Sequence, residues 1–195
     1  MSDYGKEEVY EKGRLHNPKG EKVAPPWMTW EPTPYMGCAN SEAYKENMLK
    51  RARKILDAGA RGLQFDDPYL NRHAQHWDVC FCDYCNGGFN GFLKKVCTEA
   101  QLRGELGIDD LDTFSYKERR LKGQDDAKLR MHFFYYQLQS VIGYYVDIQS
   151  RLESEYKRPI PFSCNNSSVT WHFPFNLFDY GMCELAEVKS NPKDL

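Results

Sequence analysis

Three closely spaced cysteines are the residues of this chain whose types and spacing most directly indicate chemistry. Cys80, Cys82 and Cys85 are separated by one and by two residues, and thiolates at this spacing can converge on one cation from a tight turn. Tetrahedral zinc needs a fourth ligand, and our candidate is Cys38, in the loop that begins a predicted helix. Four thiolates leave no open position for water, so we expect a structural Zn²⁺ rather than a catalytic metal.

The remaining cysteines and the nearby histidines leave alternatives open. His73 and His76 flank the cluster and are alternative ligands, and the cluster itself could be three unrelated buried or paired cysteines. An odd total of seven cysteines favours metal binding or free thiols over a disulfide framework. We expect small core residues at Cys97, Cys164 and Cys183, which lie in apolar stretches.

A second group of chemically capable residues follows the predicted strands. Parallel α/β folds place their chemistry at the carboxyl ends of the strands. Taken singly, each member is also an ordinary loop or cap residue, but recurrence after three strands favours a site. The group consists of Asp66, Asp67, Asn165, Asn166 and Glu184.

The elements that must position these residues alternate between helix and strand. Residues 1–37 are rich in proline and predicted to be loop, with one short strand near Trp27–Trp30, and residues 97–124 are polar and rich in turns. Helices are predicted from Asn40-Ser41 to Gly59, over Asp83–Val96 and over Asp126–Tyr156, and strands over Gly62–Pro68, Ile160–Cys164 and Leu177–Cys183.

Apolar spacing predicts which face each helix buries. Spacings of three and four residues are typical of a helix that packs on a core. The predicted buried residues are Tyr44, Met48, Ala52, Ile55 and Leu56 in the first helix, Phe89, Phe92, Leu93 and Val96 in the second, and Leu129, Phe133, Tyr136, Val141, Tyr145, Ile148 and Leu152 in the third.

The length of the chain and the alternation of its predicted helices and strands indicate the fold class. A chain of 195 residues is expected to form one domain. Helices that alternate with strands predict a parallel sheet, either doubly wound or a barrel.

Composition and charge exclude several function classes. With 28% charged and 41% hydrophobic residues the chain is neither disordered nor a coiled coil. A net charge of -2 disfavours a nonspecific nucleic-acid surface, and we interpret the basic run Lys50–Lys54 as a solvated helix face. Neither a signal peptide nor a membrane-spanning run is recognisable, so we expect no membrane partner. Cysteine-ligated zinc fits a reducing compartment, so we expect a cytoplasmic location.

Three motifs together resemble glycoside hydrolase family 42, the β-galactosidases, and its looser relatives. They are Cys38-Ala39-Asn40-Ser41-Glu42-Ala43-Tyr44, then Phe65-Asp66-Asp67-Pro68, then Cys80-x-Cys82-x-x-Cys85 followed by Phe89-x-x-Phe92-Leu93. Weaker similarity continues through Pro161–Asn166 and Phe178–Glu184, so the resemblance covers roughly residues 35–185.

The resemblance implies a (β/α)8 TIM barrel that hydrolyses a β-linked sugar with retention, beside a structural zinc held by the four cysteines. The family's Asn-Glu pair aligns with Asp66-Asp67, which implies Asp67 as acid/base and Asp66 as a sugar-binding partner, although Asp66 could be the proton donor instead. Glu184 could serve as nucleophile. The family's arginine ahead of the first cysteine is missing here, since Pro34, Tyr35 and Met36 stand there.

The chain is shorter than a complete barrel, which needs roughly 250 residues. We therefore expect a partial barrel, about strands three or four to six, within a longer glycosidase-like protein whose usual nucleophile lies beyond Leu195. The other interpretation is a pared-down relative with a different function.

Aromatic and amide side chains complete the predicted sugar site. Trp77 and Trp171 could stack on a pyranose, since an aromatic face suits its C–H face, and each could equally belong to the core. Asn165 and Asn166 are predicted to bind the carbohydrate substrate. The competing hypotheses are a non-catalytic carbohydrate-binding relative and a zinc-stabilised interaction module, and homo-oligomerisation stays open.

Overall fold

The computed structural model describes residues 12–24, 36–66, 68–124, 126–166 and 177–183. These residues group into two compact units. The first unit contains the residues up to Glu46 together with Leu70–Val141, and the second contains Asn47–Tyr69 together with the residues from Ile142 onward. The expectation of a single domain stays a prediction.

A parallel three-stranded sheet lies in the second unit, as the alternation of helices and strands predicted. Its strands are β1 (Leu63–Asp66), β2 (Phe162–Asn166) and β3 (Tyr180–Cys183), in the order β1-β2-β3. Both pairs are parallel. Three strands do not distinguish a doubly wound sheet from part of a barrel, so the (β/α)8 fold stays a prediction.

All three strands begin later than predicted, β1 by a single residue, and for β2 and β3 the reasons are visible near their first residues. Pro161 has no N–H to give to a ladder, and the amide of Ile160 donates to the Glu153 carboxylate at 2.9 Å instead. In front of β3, the Asp179 carboxylate accepts the amide of Phe162 at 2.9 Å. The Asp179 side chain thus takes the Phe162 amide, which in a longer β3 would donate to a backbone carbonyl of that strand.

The helices agree with prediction for the long segments. The second predicted helix has its predicted bounds, and the third begins one residue later than predicted. No helix in the described part of the chain is both long and apolar enough to cross a membrane. The elements are α1 (Glu42–Asp57), a 3₁₀ helix (Leu70–His73), α2 (Ala74–Trp77), α3 (Asp83–Val96), α4 (Glu99–Gly104), α5 (Tyr116–Leu121) and α6 (Ala127–Tyr156).

Residues 97–124, predicted to be polar and rich in turns, also contain the two short helices α4 and α5. Thr98 caps α4 through a capping box with Gln101, in which each side chain accepts a hydrogen bond from the other residue's backbone amide. Ser115 accepts from the amide of Glu118 at the start of α5. The sequence analysis predicted no helix here because capping motifs can start helices too short to show apolar periodicity.

The predicted buried face holds for α6 and only in part for α1 and α3, where Tyr44, Met48 and Phe92 are partly buried. All seven residues predicted for α6 are buried. In α1 the buried stripe is Leu49, Ala52 and Leu56, and Ile55 is 50% exposed because it lies about a quarter turn from that stripe. Val96 is also exposed, since it is the last residue of α3 and Cys97 leaves the helix in an extended conformation.

Aromatic contacts form the core of each unit. In the first unit, the ring of Phe133 lies with its centroid 4.8 Å from those of Phe81 and Tyr116. In the second unit, the centroid of Phe65 lies 5.0 Å from that of Tyr145 and 4.9 Å from that of Phe162. Such pairs contribute about 0.5–1.5 kcal/mol each beyond their area burial.

The N-terminal segment is more ordered than a loop where it is described. Leu15 is fully buried, and its amide donates to the Met36 carbonyl at 2.9 Å. Arg14 forms an antiparallel bridge with Gly37, and the amide of Cys38 donates to the Gly13 carbonyl at 2.8 Å. The segment therefore fixes the backbone at Cys38. The predicted strand near Trp27–Trp30 lies outside the described residues.

We expect Gly62→Ala to lower the free energy of unfolding by about 1–3 kcal/mol. An added Cβ would lie 2.6 Å from the carbonyl oxygen of Pro161, a backbone atom where β1 and β2 begin to pair. Gly143→Ala, within α6, is the matched control, because its Cβ meets no atom within 4 Å. Alanine should stabilise the helix there by about 0.5–1 kcal/mol. Urea unfolding followed by circular dichroism measures both, and equal effects would contradict the register of β1 and β2.

Candidate metal centre

Four cysteine sulfurs converge in the first unit. The Sγ atoms of Cys38, Cys80, Cys82 and Cys85 all lie within 4.8 Å of one another. Cys38 Sγ is 3.5 Å from Cys85 Sγ and 3.7 Å from Cys82 Sγ. A tetrahedral ion with bonds of about 2.3 Å to sulfur holds its sulfurs about 3.8 Å apart. The four residues could therefore hold a metal ion such as zinc, and Cys38, the predicted fourth ligand, lies within this group.

The start of helix α3 positions two of the sulfurs. Cys82 is the N-cap residue of α3 and Cys85 lies in its first turn. Backbone amides at a helix N-terminus favour negative charge nearby. Between Cys80 and Cys82, buried Phe81 packs into the aromatic core and its amide donates to the His16 carbonyl at 2.8 Å. These contacts hold the Cys80–Cys85 turn in place.

A fully buried asparagine supports the cluster. The amide nitrogen of Asn71 lies 3.4 Å from the sulfurs of both Cys38 and Cys85. Its orientation is fixed, because the backbone amide of Ala39 can only donate and lies 2.6 Å from the Asn71 Oδ1. The NH₂ group must therefore face the sulfurs, and an N–H donor suits a thiolate acceptor.

Gln137, on helix α6, extends this chain of directed hydrogen bonds. Its Nε2 donates to the carbonyl of Cys80 at 3.0 Å, which leaves its Oε1 to accept from Asn71 at 2.6 Å. Asn40 adds another donor, with its Nδ2 at 3.3 Å from the Cys85 sulfur and 3.0 Å from the Ser140 hydroxyl. Three amide side chains thus orient the cluster through groups that do not themselves bind a metal.

Burial favours the protonated thiol form of Cys38 and Cys85. It raises the pKa of Cys38 and Cys85 well above the ordinary thiol value. Burial also opposes ionisation of Cys80, but hydrogen bonds from the other three cysteines and from His16 lower its pKa well below that value. Buried thiolates need a compensating positive charge, and a divalent cation within the cluster would supply it.

The histidines considered as alternative ligands do not belong to this group. Among the described residues that could hold a metal, the cluster comprises the four cysteines alone. The His73 ring stacks on Trp77, with centroids 3.8 Å apart and planes 8° apart. Burial, Arg72 and His76 lower the pKa of His73 to about 4, so it is neutral at pH 7.

The three remaining cysteines differ in their surroundings. Cys164 is buried in β2, as predicted for a core residue. Cys97 is only partly buried, and its sulfur lies 3.9 Å from the Nε2 of His132, so its assignment to the core was wrong. The cause is its position at the end of α3, where the chain leaves the packed helix. The side chain of Cys183 lies outside the described residues.

The sheet brings together two of the predicted sugar-site residues. Asp66 and Asn165 are register partners at the carboxyl ends of β1 and β2, and the Asn165 Nδ2 donates to the Asp66 carboxylate at 3.1 Å. Asp66 is exposed. The backbone of Asn166 pairs with Cys183, and its side chain is outside the description. Asp67, Trp171 and Glu184 also lie outside the described residues.

One ring face of Trp77 is covered by His73, on which it stacks, and the residue is partly exposed. This arrangement combines features of the two alternatives for Trp77, a sugar platform and a packed side chain.

Sequence reasoning missed the amides that support the cluster. The position of Gln137 could have indicated a buried polar contact, because it lies four residues from both Phe133 and Val141 on the buried face of α6. A polar residue on such a face needs a partner. The position of Asn71 gave no such indication, since an asparagine in a short polar stretch is typical of a loop.

Comparisons with protein-family models, with curated proteins and with solved structures found no match. The resemblance to glycoside hydrolase family 42 therefore stays a prediction based on the motifs.

Asn71→Asp is expected to weaken metal binding by about 10–100-fold, the range for residues that orient metal ligands. The change keeps the shape but replaces an N–H donor with an oxygen that repels two sulfurs and the Oε1 of Gln137. Competition with a chromogenic chelator for Zn²⁺ or Co²⁺ measures the affinity.

Asn90→Asp is the matched control for that variant. The Asn90 Nδ2 donates to the carbonyls of Leu111 and Phe114, at 2.8 Å each. Its loss should reduce stability and leave metal affinity unchanged. Equal affinities for the Asn71 variant and the wild type would show that Asn71 does not orient the ligands.

Proposed function

We propose that the four-cysteine cluster binds a structural zinc ion. The observation that carries this proposal is the convergence of four sulfurs at tetrahedral spacing, three of them with no exposed surface. Soft thiolate ligands in a tetrahedral set favour zinc among common cellular divalent ions. Such an ion would supply charge compensation and crosslinking only, because all four positions are taken by protein.

Metal analysis of the purified chain should find about one zinc per chain, the stoichiometry of a four-thiolate site. Cys82→Ser should lose the ion and lower thermal stability. Cys164→Ser is the matched control: it replaces a buried cysteine in β2 outside the cluster and should retain the zinc. Metal-free protein with unchanged stability would contradict the proposal.

We further propose that the chain belongs to a glycoside hydrolase that acts on a β-linked sugar. Two features support this activity: the three motifs shared with family 42, and the parallel strands whose carboxyl ends bring Asp66 and Asn165 together. Both side chains can hydrogen-bond to sugar hydroxyls, and parallel sheets place their ligands at this edge.

The proposed chemistry uses two carboxyl groups about 5–5.5 Å apart. Asp67 protonates the leaving glycosidic oxygen while the nucleophile, for which Glu184 is the candidate within this chain, attacks the anomeric carbon. Asp67, as carboxylate, then takes a proton from the water that hydrolyses the glycosyl-enzyme. Asp66, held by Asn165, binds the sugar and is the alternative proton donor.

Asp67→Asn should abolish turnover of unactivated β-glycosides, because the leaving group then has no proton donor, and should preserve fold and zinc content. Asp66→Asn is the comparison variant, which should mainly raise KM if Asp66 binds the sugar. A panel of aryl and natural glycosides measures both.

Three results would change this assignment. Near-normal turnover by the Asp67 variant, together with loss of activity in the Asp66 variant, would move the acid role to Asp66. Sugar binding by calorimetry without hydrolysis would favour the non-catalytic carbohydrate-binding relative. Zinc binding with neither sugar binding nor hydrolysis would favour the interaction module.

A further inference from the structure

The four cysteines of the cluster differ in their exposure to solvent. Cys38, Cys80 and Cys85 have no exposed surface, whereas Cys82 is partly exposed. Cys82 occupies the N-cap of α3, where the chain enters the helix from an extended conformation. The cluster therefore presents one sulfur-bearing residue to the outside.

The three buried cysteines also differ from Cys82 in the hydrogen bonds that their sulfurs accept. Cys38 and Cys85 face the amide of Asn71, Cys85 also faces Asn40, and Cys80 accepts from the backbone amide of His16 at 3.4 Å. In the described part of the chain, the Cys82 sulfur meets other cysteine sulfurs but no N–H donor, and it makes no capping bond to α3.

This difference affects reactivity. An N–H···S hydrogen bond withdraws electron density from a thiolate and lowers its nucleophilicity, even when the sulfur is bound to a metal. A thiolate without such donors keeps more of its charge. Of the four cysteines, Cys82 thus combines partial exposure with a sulfur that accepts from no N–H donor among the described residues.

A cleft in the first unit leads to this residue. It has a volume of about 520 Å³ and is lined by Cys82, Asp83, Tyr84, His16, Lys12 and Lys117, among others. This volume accommodates a small organic molecule. The two lysines and one aspartate give the cleft a mixed, mainly cationic character.

We propose that Cys82 is the nucleophilic thiolate of the cluster and a site of covalent modification by small electrophiles that enter this cleft. The proposal rests on the zinc centre proposed above. In the step, the Cys82 sulfur attacks an electrophilic carbon, a C–S bond forms, and the leaving group departs with its electron pair. No oxidant or reductant is involved.

Modification at Cys82 has a direct effect on the metal. A thiolate becomes a neutral thioether, a much weaker ligand for zinc, so the ion is left with three thiolates. Release of zinc should therefore follow alkylation of Cys82 with the same time course. The cluster would convert contact with an electrophile into loss of its metal.

The test treats the zinc-loaded chain with iodoacetamide, whose carbon is attacked while iodide leaves. Peptide mass spectrometry follows each cysteine, and a chromogenic chelator follows zinc. Cys82 is expected to react at least about tenfold faster than Cys38, Cys80 and Cys85, because reactivity follows thiolate character and exposure. Cys97→Ser removes a competing, partly exposed thiol outside the cluster and should not change this order.

A second variant separates electronic from steric control. Asn71→Asp removes the Asn71 donor from Cys38 and Cys85, although Asn40 still faces Cys85. Both sulfurs stay buried, so under zinc saturation Cys82 should still react first. Equal rates at all four cysteines, or zinc release without modification of Cys82, would overturn the proposal while leaving the zinc centre intact. Failure of the chain to bind any zinc before treatment would overturn both, and the initial metal count distinguishes the two cases.

Discussion

The first unit depends on holding four sulfur atoms together in a buried place. Sulfurs at 3.5–3.7 Å with little access to water are tolerated only if their charge is compensated and their lone pairs find donors. The surrounding residues meet this constraint with the N-terminus of α3, the Asn71 amide and the backbone of the N-terminal segment. Several features that look unrelated in the sequence therefore serve one requirement.

Gln137 connects the long helix α6 to the four-cysteine cluster. Its amide lies on the same buried face as Phe133 and Val141, fully shielded from solvent, and it bonds to Asn71 on one side and to the Cys80 carbonyl on the other. A buried amide with both ends satisfied is stable only when its partners are in place. Packing of the aromatic core and arrangement of the cysteines thus reinforce each other within the first unit.

The sequence carries enough information to predict the four-cysteine cluster, the parallel sheet and the buried face of α6. These depend on regular spacing, which a single chain displays. The sequence carries less information about Asn71, because its role depends on a contact with Gln137 that spans 66 residues. It also carries less about the short helices α4 and α5, which depend on their capping residues. The first residues of the strands were also not predicted. For β3, the Asp179 carboxylate just before the strand accepts the amide of Phe162 in β2.

The distance along the chain between Cys38 and its partners has a consequence for the unfolded state. Cys38 meets Cys82 across 44 residues of sequence, and an ion that joined them would close a loop of that size. A covalent link closing such a loop removes about 4 kcal/mol of conformational entropy from the unfolded chain in the simplest polymer treatment. Metal coordination would thus do the work of a disulfide bridge in surroundings that keep thiols reduced, where a bridge between the same residues would not persist.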